Sequence, residues 1–190
     1  AFNNIASLKK LSGNHKEAII LFKQAIQADP KLFQAYIGTA ASYLALGDLD
    51  QAESLAAQAL EINERSPGVN EVLGIIFQKQ SKPNQAIECF QKELDINPQA
   101  SNSLLNLGLL LLQKGQSDAA VKPLQKASAL APSEQCSLLL AQAYQSLAQF
   151  NEAIIEYKKL DIAHSKNKMI PFNLGVCLLN TGHNIDAIEA

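Results

Sequence analysis

Apolar residues along this chain recur every three or four positions in stretches of about a dozen, the period of an α-helix with one buried face. The stretch from Ala35 to Leu46 is of this kind and contains no Pro. Gly47 follows it, and glycine tolerates the left-handed backbone that ends many helices. A second periodic stretch runs from Asp50 to Ile62, with Asp48 placed to cap its start. Asp29–Pro30, Asn97–Pro98 and Ala131–Pro132 close three further stretches, because Pro rarely continues a helix. The pattern predicts an all-α chain of helix–turn–helix hairpins.

The hairpins repeat. Ala18, Ala52, Ala86, Ala120, Ala153 and Ala187 are separated by 34, 34, 34, 33 and 34 residues. Twelve residues upstream in every unit stands a second column of tiny side chains: Ala6, Ala40, Gly74, Gly108, Ala141 and Gly175. A third column, seven residues after the second, reads Gly13, Gly47, Ser81, Gly115, Ala148 and Gly182. Short side chains let two helices cross closely. Larger ones fill the spaces between: Phe22, Phe90, Leu124 and Tyr157 on the second helices, and Tyr43, Phe77, Leu111, Tyr144 and Leu178 on the first.

These columns make the chain resemble the tetratricopeptide repeat family. The second unit carries the family pattern as Tyr36, Thr39-Ala40, Tyr43, Gly47, Ala52 and Ala59. The fourth carries it as Leu104, Leu107-Gly108, Leu111, Gly115, Ala120, Leu124, Ala127 and Pro132. The resemblance implies one domain over 1–190, with repeats 1–32, 33–66, 67–100, 101–133, 134–167 and a shortened 168–190. It also implies a right-handed superhelical solenoid of antiparallel hairpins, with the first helices lining the concave face. Three departures mark places where the geometry is expected to differ. Glu93 replaces the small residue found as Ala25, Ala59 and Ala127, which would hold its helix pair wider. Pro123 falls inside a second helix, and the fourth unit is one residue short. Pro67 and Pro83 sit near helix starts, where Pro is tolerated.

In this family the concave face is the usual binding surface. By register, the inward columns contain Glu71, Ile75, Leu105, Asn106, Leu109, Leu112, Leu139, Gln142, Phe172, Asn173 and Val176. The later part is unusually apolar for a face that meets water. Ile75, Leu105, Leu109, Leu112, Leu139, Phe172 and Val176 are expected to form a contiguous patch that is either ordinary core or a groove for a partner peptide or helix. Asn4, Asn106 and Asn173 share a column in which the family often holds ligand backbone with side-chain amides, which offer both donor and acceptor. Gly38, Val72 and Leu139 interrupt that column, so peptide contacts and chance polar placement both stand. The clamp with which related proteins grip acidic chaperone tails needs paired cations on successive first helices, and no three consecutive units supply them. Arg65, the single arginine, falls in a loop.

Composition narrows the classes of function. The chain has 190 residues, 16 basic and 18 acidic side chains and a net charge of 16 − 18 = −2, which disfavours nucleic acid as a partner. No apolar run reaches membrane-spanning length. His15, His164 and His183 fall at turns or helix ends in different units, and no phosphate loop, nucleophile elbow or metal-ligand spacing occurs. Catalytic residues, metals and cofactors are therefore not expected. Cys89, Cys136 and Cys177 form no C-x-x-C pair, and a reduced, cytoplasmic chain is the plain expectation. The opening at Ala1 without Met and the stop at Ala190 read as a piece of a longer protein, so the alternative to a scaffold is a recruiting or oligomerising domain of a larger enzyme such as a glycosyl-, sulfo- or methyltransferase. Self-association is expected through the last unit, with Leu174 and Leu178 on its exposed face.

Overall fold

The computed structural model describes residues 1–160 and 169–182. His164, His183, Ala187 and the second helix expected for the last unit lie outside the described residues. Among those residues there are eleven helices and no strand. The chain divides into two compact units, Ala1–Pro98 and Gln99–Ala190.

The first unit holds three hairpins: α1 (Phe2–Leu11) with α2 (His15–Ala28), α3 (Phe33–Leu46) with α4 (Leu49–Ile62), and α5 (Val69–Lys79) with α6 (Pro83–Ile96). In the second, α7 (Ser101–Gln113) pairs with α8 (Ser117–Leu130), α9 (Glu134–Ser146) pairs with α10 (Phe150–Tyr157), and α11 (Met169–Asn180) packs on α10. Local chemistry places these boundaries. Asp48 Oδ1 accepts from the Gln51 amide at 3.2 Å and caps α4, and the Ser133 hydroxyl caps α9 by accepting from the Cys136 amide at 3.2 Å. Pro83 is the first residue of α6. Helix α8 continues through Pro123.

The turn column adopts one conformation throughout. Gly13, Gly47, Ser81, Gly115, Ala148 and Gly182 have φ of 79°, 84°, 58°, 73°, 56° and 83°. The turn geometry thus holds even two residues with side chains in the left-handed region.

Packing explains the small columns. Ala18, Ala52, Ala86, Ala120 and Ala153 are wholly excluded from solvent, as are Ala6, Ala40 and Ala141. A Cβ placed on Gly74 would lie 2.6 Å from Phe90 Cε1, and one on Gly108 would lie 2.4 Å from Leu124 Cγ. The large fillers Phe22, Phe90, Leu124 and Tyr157 are all buried. One expectation is corrected. Leu174 and Leu178 are buried against Ala153, Ile154 and Tyr157 in the core of the second unit, because those columns face the second helix of the preceding hairpin; the exposed apolar residues of α11 are Met169, Phe172 and Leu179. Glu93 is 1% exposed and makes a contact described below.

Candidate functional site

In the first unit, Glu71 and Ile75 of α5 are both partly buried, and Glu71 is engaged in polar contacts. Val72 beside them is buried and shares a core cluster with Ala56 and Leu73. This column faces the second helix of the preceding hairpin. At Gly38, its counterpart in α3, an added Cβ would lie 2.3 Å from Phe22 Cζ. A bulky ring therefore meets a glycine in one repeat, while a small Ala56 accompanies Val72 in the next.

That orientation decides the fate of the equivalent residues in the second unit. Leu139 is 6% exposed and belongs to the core, so the expectation that it lines an apolar groove is corrected. At α9 the surface position is Gln142, which is exposed, and Leu105, Leu109 and Leu112 stand partly buried on α7. On α11, Phe172 is 62% exposed, Leu179 is 55% exposed and Val176 is partly buried. The second unit thus has an apolar stripe on α7 and another on α11. On α9 the same columns hold Leu138, partly buried like Leu105, and the polar, exposed Gln142.

The two asparagines expected to read a ligand backbone both make hydrogen bonds within the protein. The Asn106 amide donates to the Asn102 carbonyl at 3.0 Å, within its own helix. Asn173 hydrogen-bonds Tyr157 of α10. The Tyr157 hydroxyl in turn donates to Gln145 Oε1 of α9 at 2.7 Å. Burial pushes the Tyr157 phenol up to about 12, and the hydrogen bond from Asn173 pulls the other way. Asn173 therefore ties α11 to α9 through a buried phenol.

A contact the sequence reading did not anticipate lies in the first unit. Glu93 of α6, 1% exposed, accepts from the Gly68 amide through Oε1 at 2.8 Å, at the start of α5. Gly68 has φ 87° and no side chain with which to cap α5, so the carboxyl arrives from the partner helix instead. The signals available in the sequence were an uncapped start at Gly68 and a glutamate where three other repeats have alanine. Burial holds this carboxyl above the usual range, and the amides of Gly68, Glu71 and Asn70 pull it down.

Chemistry of other kinds is thin. No three His, Cys, Asp or Glu side chains cluster as a metal site among the described residues. Cys89, Cys136 and Cys177 are buried and free, and desolvation pushes the Cys89 and Cys177 thiols up, away from the reactive thiolate. Arg65 lines a 480 Å³ hollow with Glu64, Lys92 and Asp95, where charges of both signs alternate. No helix among the described residues is long and apolar enough to cross a membrane.

Residues 11–74 match the family model described as tetratricopeptide repeat. Residues 80–160 match that of anaphase-promoting complex, cyclosome, subunit 3. The chain is a tetratricopeptide repeat protein. It is 27% identical over 180 residues to BBSome complex member BBS4 of Bos taurus, a match covering 94% of this chain and 34% of that protein. It is also 27% identical over 115 residues to human protein O-mannosyl-transferase TMTC3, covering 60% of this chain and 13% of that one. The chain thus spans about a third of BBS4 and a smaller share of TMTC3. Among solved structures, Pseudomonas aeruginosa pilF superposes with a TM-score of 0.82 at 19% identity, covering 98% of this chain and 85% of that one. At that identity the likeness establishes the fold. The tetratricopeptide scaffold accords with a role in protein–protein interaction.

Proposed function

We propose that this chain binds a peptide or helix of a protein partner along its first helices, with apolar anchors from α7 and α11 and register from Gln142. The observation that supports the reading is the exposure of large apolar side chains on first helices, Phe172 at 62% foremost. Asn173 acts on this reading as an internal tie, and the partner is held mainly by apolar contact. We place the protein in the cytoplasm, in keeping with its three free cysteines.

A second reading draws on the resemblance to TMTC3, a protein named as a transferase: the repeats would recruit substrate for a catalytic part elsewhere in a longer chain. Both readings predict the same first test. Cross-linked capture from the native host is compared between the unaltered chain and Leu109→Glu, with equal helicity checked by circular dichroism. Selective loss of one partner, corresponding to about 2 kcal/mol or more for a central anchor, supports the apolar face. Identical captures from both chains would remove it.

A further inference from the structure

Asn70 departs from its repeat. Its column holds Tyr36 in the second hairpin and Leu104 in the fourth. The Tyr36 hydroxyl reaches back to donate to the Pro30 carbonyl at 3.1 Å, so its ring spans from the helix start to the loop before it. One repeat of 34 residues further on, the counterparts of Tyr36 and Pro30 are Asn70 and Glu64. Asparagine is too short to make that span. Both residues instead line the 480 Å³ hollow between the α4–α5 loop and the last turns of α6. The hollow stands where the preceding hairpin has a ring.

Its lining carries polar groups that the fold does not use. Asn70 is 5% exposed, yet its side-chain amide makes no hydrogen bond with any described residue; only its backbone amide is engaged, by Glu93. Burying an amide without a partner is costly, so a ligand that meets both its donor and its acceptor is stabilised there. Around the opening stand Arg65 and Lys92 with Glu64 and Asp95, all exposed. None of the four is in an ion pair among the described residues. Leu60 and Ile96 supply an apolar wall. Charges of both signs around one hollow suit a ligand that carries both, since a simple anion or cation meets repulsion from half of them. The volume is that of a small-molecule site.

We propose that this hollow binds a free amino acid with an amide side chain. Its carboxylate faces Arg65 and Lys92, and its ammonium faces Glu64 and Asp95. Its side-chain amide pairs with that of Asn70, donor to acceptor in both directions, while its methylenes lie against Leu60 and Ile96. The site belongs to the first unit and does not depend on the partner proposed for α7 and α11.

The test titrates the whole chain, labelled with nitrogen-15, with L-glutamine at millimolar concentrations and follows amide signals by NMR. The side-chain signals of Asn70 and the backbone signal of Arg65 should shift together and saturate. N-acetyl-L-glutamine, which lacks the ammonium, and L-norleucine, which lacks the amide, should each bind at least about tenfold more weakly. Asn70→Tyr rebuilds the Tyr36 arrangement and fills the hollow; it should abolish the Arg65 shift while the melting temperature is kept or raised. Arg65→Gln, in an exposed loop, provides a second variant should the first fail to fold, and should weaken binding about fivefold. The absence of a saturable shift with L-glutamine overturns the proposal. So does equal binding of N-acetyl-L-glutamine, which would mark a site for anions only, or of L-norleucine, which would leave Asn70 without a role. Undiminished binding by a folded Asn70→Tyr chain, or by Arg65→Gln, would place the ligand elsewhere and overturn it as well.

Discussion

At the scale of single residues, Ser81 and Ala148 occupy turns where the other four repeats have glycine, and they hold φ of 58° and 56°. A left-handed backbone costs an L-residue roughly 1 kcal/mol, because Cβ crowds the following carbonyl. Ser81→Gly and Ala148→Gly should each stabilise the fold by about 0.5 kcal/mol, part of the relief being offset by glycine's freer unfolded chain. Urea titration would show a higher midpoint at unchanged slope; a lower midpoint would mean that these side chains contribute something to their turns. A second prediction concerns Phe22 and Gly38. Even a methyl on residue 38 would overlap the Phe22 ring, so Gly38→Val should destabilise by about 1–3 kcal/mol. Phe22→Ala alone opens a cavity costing about 3–5 kcal/mol. The double variant copies the Ala56 and Val72 pairing of the next repeat and should show a favourable coupling of at least about 1 kcal/mol. Simple additivity would show that the two sites do not compensate each other.

At the scale of elements, the start of α5 depends on a carboxyl from α6. The folded protein holds Glu93 above its ordinary value, so the protonated form is favoured in the native state more than in the unfolded chain. The stabilisation from this group is therefore fully present below the ordinary glutamate range. It is lost as pH rises through the raised native value. Glu93→Gln keeps an acceptor for the Gly68 amide without a charge that needs burying. Its unfolding free energy should match the unaltered chain in acid and exceed it at neutral pH, as urea titrations across that range would reveal. If instead the unaltered chain is the more stable at neutral pH, the carboxylate's attraction to the α5 amides outweighs its desolvation. The same contact explains how a glutamate fits where other repeats have alanine: the side chain has a donor waiting at the helix start.

At the scale of the whole molecule, the repeat separates core from surface along each first helix, and this shapes the interaction test. On α7, Leu107 and Leu111 are 7% and 8% exposed, whereas Leu109 between them is partly buried on the candidate face. A charge at Leu107 or Leu111 should unfold the second unit, while Leu109→Glu should leave helicity intact and act on binding. Comparing melting curves of the three variants separates a surface role from a packing role. If Leu109→Glu melts with the core variants, Leu109 is structural and the anchor assignment passes to Phe172, which is 62% exposed.

Much of this architecture is local and was legible in the residues themselves. The caps at Asp48 and Ser133, the left-handed turns and the small columns each follow from chemistry acting within one hairpin. Repetition at a near-constant spacing then extends that reading along the chain. The candidate face was legible only in part, because a register assigns a residue to a column without giving the column's angle to the neighbouring helices. Leu139 and Leu109 look alike in sequence, yet one is core and the other lies on the surface. The difference arises because the hairpin before each first helix covers one side of it. Asn173 likewise looks free to meet a ligand in the sequence, yet it bonds the Tyr157 phenol, which is itself held by Gln145 of another helix. Sequence alone determined the repeat, its turns and its hairpins, since these rest on backbone sterics and contacts a few residues apart. Tertiary structure alone decided which apolar and polar side chains remain available, since that depends on packing between hairpins.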